Sequence, residues 1–253
     1  MTHALFLAPL NSPKVGEEVV VSGDEGRHAV SVRRIHAGES VFVADGHGTA
    51  IQGEVTSAEK SVLRVRIDEV FVEEPAAVEI VAVQALTKHP RDEQAVEAMT
   101  ELGVDGIVPW RASRSIVKWD PGPRGVRQLD KWRSTAREAS KQSRRFRVPE
   151  VTGSVSTGEL CGLVAASDAA FILHEEATEM LAASELPTSG RILLVIGPEG
   201  GISPEELTAL TGAGGRPVLV ARHVLRASTA GVVAVAQLQA LAESQAREGH
   251  TGG

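Results

Sequence analysis

The sequence predicts a small all-β module followed by an α/β domain with a parallel sheet, on three observations. The first lies in residues 1 to about 72, where Val19–Val21, Ser40–Ala44, Thr49–Val55 and Val62–Ile67 are short β-branched runs separated by turn clusters such as Asp45-Gly46-His47-Gly48. That spacing marks a small antiparallel barrel or sandwich, interrupted by one helical or turn segment over Asp24–Ile35. The second is a change of pattern after Glu73-Glu74-Pro75. Val78–Gln84 is a nearly continuous apolar strand, Pro90–Leu102 has helical character and stops at Gly103, and Gly106–Pro109 restarts a strand. The third is the repetition of this alternation. A polar, basic helix over Trp132–Arg144 precedes strands at Ala169–Leu173, Arg191–Ile196 and Pro217–Val220, each followed by a loop and a helical stretch. The last helix, from Ser228 or Thr229 to about Glu243, carries Val232, Val233, Val235, Ala236, Leu238 and Leu241. It is apolar around much of its circumference and must be buried, in part against another subunit. The predicted organisation is therefore a β-module over 1–72, an α/β domain over 73–245, and a polar, Gly-containing tail over 246–253 expected to be disordered.

A 253-residue chain that is 42% apolar and 23% charged can bury a real core. Its single cysteine, Cys161, excludes a disulfide framework and any CxxC zinc or redox site, and suits a reducing cytosol. The apolar run Leu5–Leu10 is too short for a signal h-region or a membrane span. A net charge of −7 argues against a polyanionic partner only if charge is evenly spread, and it is not. Residues 111–150 hold twelve Lys/Arg and four acids, a local net of +8, which leaves −15 on the other 213 residues. Such an island is a candidate phosphate-binding surface. All three tryptophans, Trp110, Trp119 and Trp132, sit in or beside it, where they could stack on unpaired bases or anchor the segment in a core. Arg27, Arg33 and Arg34 form a second, smaller basic group in the β-module.

The clearest site signal is Ile196-Gly197-Pro198-Glu199-Gly200-Gly201. It follows a buried strand and precedes a helix opened by Ser203 as N-cap, Pro204 at the first position and Glu206 three residues after the cap. Glycines at the carboxyl end of a parallel strand let backbone approach a ligand closely. The spacing is neither GxGxxG nor GxxxxGK[ST], so neither a dinucleotide nor a nucleoside triphosphate is favoured. Two more strand ends can converge on this turn, Leu173-His174-Glu175-Glu176 and Arg222-His223-Val224-Leu225-Arg226. The eight histidines show no metal-ligand pattern. Arg226 sits at the start of a buried helix, where a cation is unfavourable without an anionic partner, and this makes it a functional candidate.

Together, Ile196–Gly201, Val224-Leu225-Arg226 with Thr229-Ala230, and Leu173-His174-Glu175 resemble the RsmE-type 16S rRNA uracil-N3 methyltransferases of the SPOUT superfamily. The similarity extends over nearly the whole chain. Gly26-Arg27-His28, Val32, Arg34 and Ala37-Gly38-Glu39 resemble the family's PUA-like barrel. Gln84-Ala85-Leu86 with Lys88, Glu101–Val104, Ala139, Gln142-Ser143-Arg144 and Val148-Pro149 resemble its catalytic half. The resemblance implies a SPOUT-type α/β domain with a C-terminal trefoil knot preceded by a PUA-like β-barrel. It also implies a cytoplasmic homodimer that uses S-adenosylmethionine to methylate N3 of a uridine in 16S rRNA of the small ribosomal subunit, with no metal and no membrane. The implied cofactor residues are Leu173, His174, Glu175, Ile196, Gly197, Pro198, Glu199, Gly200, Gly201, Val220, Val224, Leu225, Arg226, Ser228 and Ala230, with Arg226 and Glu199 as catalytic candidates. For RNA the candidates are Arg27, Arg33, Arg34, Lys88, Arg111, Arg114, Arg137, Lys141, Arg144 and Arg145. The chain departs from the family pattern at Ser228, which replaces an acid, and at Ala221, which replaces a glycine; Ser228 could still cap the helix. A non-catalytic RNA-binding or ribosome-assembly protein on the same fold, and a SPOUT methyltransferase acting on tRNA, are the competing readings.

Overall fold

The computed structural model describes residues 3–119 and 122–251, side chains at 246 and 248–251 excepted. The chain divides into two compact units, one formed by residues 1–75 with 138–148, the other by 76–137 with 149–253.

The first unit is a five-stranded sheet in the order β1 (Leu5–Leu7), β3 (Ser40–Ala44), β4 (Thr49–Glu59), β5 (Val62–Val72), β2 (Glu18–Val21). β1 pairs parallel to β3 and every other pairing is antiparallel. Alternation along the strands sends Val41, Val43, Leu63, Val65 and Ile67 into one core with Phe6, Val21 and Ile51. The opposite face carries Leu5, Leu7, Ala44 and Ala50 under Phe42 and Phe71. Register shifts leave Asp68 of β5 unpaired opposite Gln52/Gly53 and Thr56 of β4 unpaired between Val55 and Ser57. The expected helical segment is a short helix α1 (Gly23–Arg27) running into a π-helical turn (His28–Val32), closed by Arg34 at φ 54°.

Residues 138–148 join this unit although they lie far along the chain, a return that a linear division at Pro75 does not contain. Phe146 and Val148 pack over the Leu5/Leu7 face, and their backbone bonds to Gly48 and Gly46 at 3.2 and 2.9 Å. Lys141, a candidate RNA contact by its charge, is instead 9% exposed, with Nζ 3.0 Å from Glu25 and 2.8 Å from Glu138. Its charge is spent on these carboxylates, so it leaves the set of RNA-facing cations. Replacing Lys141 by Met is expected to destabilise this unit by about 1–3 kcal/mol, because Glu25 and Glu138 both lose this shared cation. Thermal melts followed by far-UV circular dichroism would measure it.

The second unit is a six-stranded, wholly parallel sheet in the order β11 (Arg216–Val218), β9 (Ala169–Leu173), β10 (Gly190–Ile196), β6 (Val78–Ala85), β7 (Gly106–Trp110), β8 (Glu150–Val151). The strand order reverses between β6 and β10, the place where parallel α/β sheets bind ligands beyond the strand ends. β6 shows how both faces are covered. Ile80 and Ala82 enter a core with α2 (Arg91–Glu101) and α6 (Ala227–Thr251), whereas Val81, Val83 and Ala85 enter one with α4 (Thr157–Ala165) and α5 (Pro204–Gly212). Capping boxes Ser156/Glu159 and Ser203/Glu206 start α4 and α5.

One open alternative is decided here and two expectations change. All three tryptophans are core residues: Trp110 and Trp132 are fully buried, and Trp119 packs edge-on against Trp132 with ring centroids 5.0 Å apart. Two of the indole N–H groups are spent too, Trp110 donating to Thr157 at 3.2 Å and Trp132 to Asp92 at 3.2 Å. They do not offer faces for base stacking. The basic helix α3 starts earlier than its charge pattern suggested, spanning Pro123–Ser143. The final helix α6 begins at Ala227 and continues to Thr251. Ala242 to Glu248 contains good helix formers and no proline, so propensity carries the helix through what composition alone reads as a disordered tail. Of that expected tail, Gly252 and Gly253 lie outside the described residues.

Candidate functional site

The sheet places three strand ends side by side, those of β9, β10 and β11, and their loops meet. After β10, Gly201 N–H donates to Pro198 O at 2.9 Å, closing a turn, and Gly201 takes φ 74°, a conformation suited to glycine. A Cβ at Gly197 would lie 2.7 Å from Ile202 Cγ1, closer than carbon atoms pack, and one at Gly200 would lie in tight contact, 3.1 Å from the Arg114 carbonyl oxygen. After β9, His174 N–H donates to Val218 O at 3.1 Å, and its ring Nδ1 accepts from Glu176 N–H at 3.3 Å. His174 thus shapes its own loop. After β11, the Arg226 carbonyl accepts from Thr229 and Ala230 N–H, both at 2.8 Å, and so starts α6. Ser228 falls in the first turn of that helix, and the cap position belongs to Arg226.

These loops enclose a cleft of about 660 Å³. Leu173, His174, Glu175, every residue from Ile196 to Gly201, Val224, Leu225, Arg226 and Ala230 line it. Val220 lines a hollow of about 90 Å³ that shares Leu173 and Leu225 with the cleft. Of the candidate cofactor residues only Ser228 lines neither. The cleft has an apolar floor and charged walls, with Arg91, Arg114 and Arg226 set among Glu175, Glu176 and Glu199. Arg226 is exposed, and its guanidinium makes no hydrogen bond or ion pair among the described residues. It stands at the positive end of α6, the electrostatic setting of an anion site. The Glu199 carboxylate turns toward the loop after β6, 3.4 Å from Lys88 N and 3.8 Å from Arg91 Nη1.

Two residues of this region carry little signal in the sequence. Arg91 resembles any surface arginine at the start of a helix. Glu206 reads as half of a capping box, yet it is buried and accepts from Ser113 N–H and Oγ–H, both at 2.8 Å, Thr157 Oγ–H at 2.9 Å and Ser203 N–H at 3.2 Å. Burial pushes its carboxyl up, but hydrogen bonds from Ser113, Ser203 and Thr157 outweigh burial and hold it below the ordinary range. Through Ser113 it fixes the loop whose next residue, Arg114, donates to Gly200 O at 3.3 Å.

The other basic candidates divide between the units. Arg111 lines a separate hollow of about 730 Å³ with Lys118 and Trp119, and it bonds Ser154 at 2.9 Å. Lys88 is exposed beside the cleft, and Arg137 is half-buried in α3. Within the first unit, Arg33, Arg34 and Arg144 are exposed, Arg145 is half-buried, and Arg27 pairs with Asp24 at 2.8 Å. A trio of potential metal ligands, His89, Asp92 and Glu93, lies within 4.8 Å. Its carboxylates are already engaged by Lys131 on Glu93 and the Trp132 N–H on Asp92.

A parallel α/β sheet with a glycine-turn cleft at its reversal point, joined to a small β-unit, is the architecture of RNA methyltransferases that carry a PUA domain. Residues 73–239 match the family model of an RNA methyltransferase domain, and residues 21–68 that of an RNA methyltransferase PUA domain. The ribosomal RNA small subunit methyltransferase E of Mycobacterium tuberculosis is 43% identical over 227 residues, covering 88% of this chain and 86% of its own. That of Bacillus subtilis is 27% identical over 226 residues, covering 86% and 88%. Among solved structures, the ribosomal RNA small subunit methyltransferase E of Neisseria gonorrhoeae bound to S-adenosyl methionine superposes with a TM-score of 0.85 at 27% identity, over 95% of this chain and 98% of that one. The chain belongs to the ribosomal RNA small subunit methyltransferase E family.

Proposed function

We propose that the chain transfers a methyl group from S-adenosylmethionine to N3 of a uridine in 16S rRNA of the small ribosomal subunit, with Arg226 as the residue that meets the reacting base. The observation that carries this reading is an unpartnered guanidinium at the start of α6, in the same cleft as the glycine turn.

The residues present fit the cofactor. A cleft of about 660 Å³ is of ligand size. Leu173, Ile196, Leu225 and Ala230 offer apolar surface for an adenine, and Gly197 and Gly200 line the cleft with backbone alone. Glu175, Glu176 and Glu199 supply carboxylates for hydroxyl and cationic groups. When bound, the cofactor supplies a methyl group on a positively charged sulfur. The protein's task is alignment, which can contribute about 7–11 kcal/mol to lowering a barrier. As N3 loses its proton, negative charge spreads to O2 and O4 of the base, and Arg226 stabilises it there. Glu199 is the leading carboxylate for a ribose hydroxyl, with proton acceptance as its lesser role.

N3 lies on the Watson–Crick edge, so the uridine must be unpaired or flipped out. Arg27, Arg33, Arg34 and Arg144 of the first unit, with Lys88, Arg111 and Arg114 of the second, would hold flanking RNA. In this reading the protein works in the cytosol as a homodimer whose cofactor loops belong to a trefoil knot. Among the described residues no helix is long and apolar enough to cross a membrane.

The deciding experiment offers the protein small subunits, naked rRNA and tRNA with labelled cofactor, followed by nucleoside mapping. Methylation of a uridine at N3 in 16S rRNA is expected. Labelling confined to tRNA would overturn the substrate assignment. Absence of any saturable heat on calorimetric titration with S-adenosylmethionine would mark a binding protein that has lost the chemistry.

A further inference from the structure

Resting on that methyltransferase reading, a surplus of cations in the cleft becomes informative. One uracil anion needs one guanidinium, and Arg226 supplies it. Two further arginines, Arg91 and Arg114, line the same cleft. They flank the Glu199-Gly200 turn, Arg91 Nη1 lying 3.8 Å from Glu199 Oε1 and Arg114 Nη1 donating to Gly200 O at 3.3 Å. Arg91 makes no other side-chain ion pair or hydrogen bond among the described residues. Arg114 adds only a Coulombic influence on Glu205. Each guanidinium carries five N–H donors, so most of this capacity is unused.

Both arginines stand on held backbone. Arg91 N–H donates to Lys88 O at 3.0 Å where α2 begins. Arg114 follows Ser113, whose amide and hydroxyl are both fixed by the buried Glu206. A pre-positioned guanidinium fork matches the oxygens of a phosphodiester. A nucleotide that inserts its base into a cleft leaves one phosphate on each side of its sugar at the mouth.

We infer that Arg91 and Arg114 form a two-point clamp for the phosphates on either side of the target uridine, with Arg226 facing its base. Arg91 is thereby an RNA-binding residue, and Glu199, beside it, is the carboxylate that orients it. The clamp reads backbone and positions the nucleotide without specifying sequence.

The test uses the full chain loaded with S-adenosylmethionine. Binding to a single-stranded 16S rRNA fragment is followed by fluorescence anisotropy across a salt series, and cofactor affinity is followed separately by calorimetry. R91A and R114A are each expected to weaken RNA binding about tenfold, equivalent to about 1.4 kcal/mol. Each should also reduce the magnitude of the slope of log K against log salt by about 0.7. Cofactor affinity should fall by clearly less than RNA affinity, and R91K should keep the salt slope while recovering only part of the affinity. An unchanged RNA affinity and slope in both variants would overturn the clamp. So would an equal loss of cofactor affinity, which would assign the arginines to the cofactor's carboxylate. A wild-type protein that binds RNA through these arginines but methylates no uridine would instead sink the methyltransferase reading and leave the clamp standing.

Discussion

Arg226→Ala is expected to lower kcat by about 10²–10³ while leaving S-adenosylmethionine affinity within a few-fold of wild type. The magnitude is that of removing one preorganised donor from a site where negative charge develops. What the substitution spares follows from the geometry, because Arg226 starts α6 through its backbone carbonyl, and alanine keeps that carbonyl. Single-turnover methylation of 16S rRNA measures the chemical step, and calorimetry measures the cofactor. Arg226→Lys should recover part of the rate, since it restores the charge without the planar fork. Wild-type single-turnover rates in a folded Arg226→Ala protein would remove Arg226 from the chemistry.

Glu206→Ala is expected to give the largest loss of stability, about 3 kcal/mol or more. It strands four donors, two on Ser113 and one each on Thr157 and Ser203, in a region that buries the carboxylate. Glu206→Gln should cost less, because it keeps the volume and one acceptor. The pH dependence has a definite sign. The carboxyl of Glu206 is held below its unfolded value, so its contribution is fully present above the ordinary glutamate range and is lost as pH falls through the depressed value. Denaturant melts from pH 7 downward should therefore show an acid limb in wild type that is shallower in Glu206→Gln. An identical limb in both would mean that Glu206 does not dominate acid lability.

Much of the molecule was legible because its signals are local. The strands Ser40–Ala44 and Ala169–Leu173 match their sequence boundaries, since β-branched and apolar runs between turn residues declare themselves. The Ser203-Pro204-Glu206 start of α5 was equally plain, as capping chemistry acts over three residues. Features missed or misread are those decided by distant partners. β8 is only two residues long and exists because β7 offers it an edge. Lys141 carries the charge of an RNA contact, but Glu25, 116 residues away, claims it. The cleft residues were readable from their strand ends. Arg91 was not, because only the approach of the loop after β6 to Glu199 brings it there.

The burial of the tryptophans has an optical consequence. All three lie in the unit formed by residues 76–137 and 149–253, and the chain has no tyrosine. The other unit holds four of the five phenylalanines and neither stronger chromophore. Indole emission will therefore report the state of the methyltransferase unit alone, and the β-unit can unfold in spectral silence. For a protein with two such units, a fluorescence melt and a far-UV melt that coincide would demonstrate that the units unfold together, and any gap between the curves would measure how independently the β-unit opens.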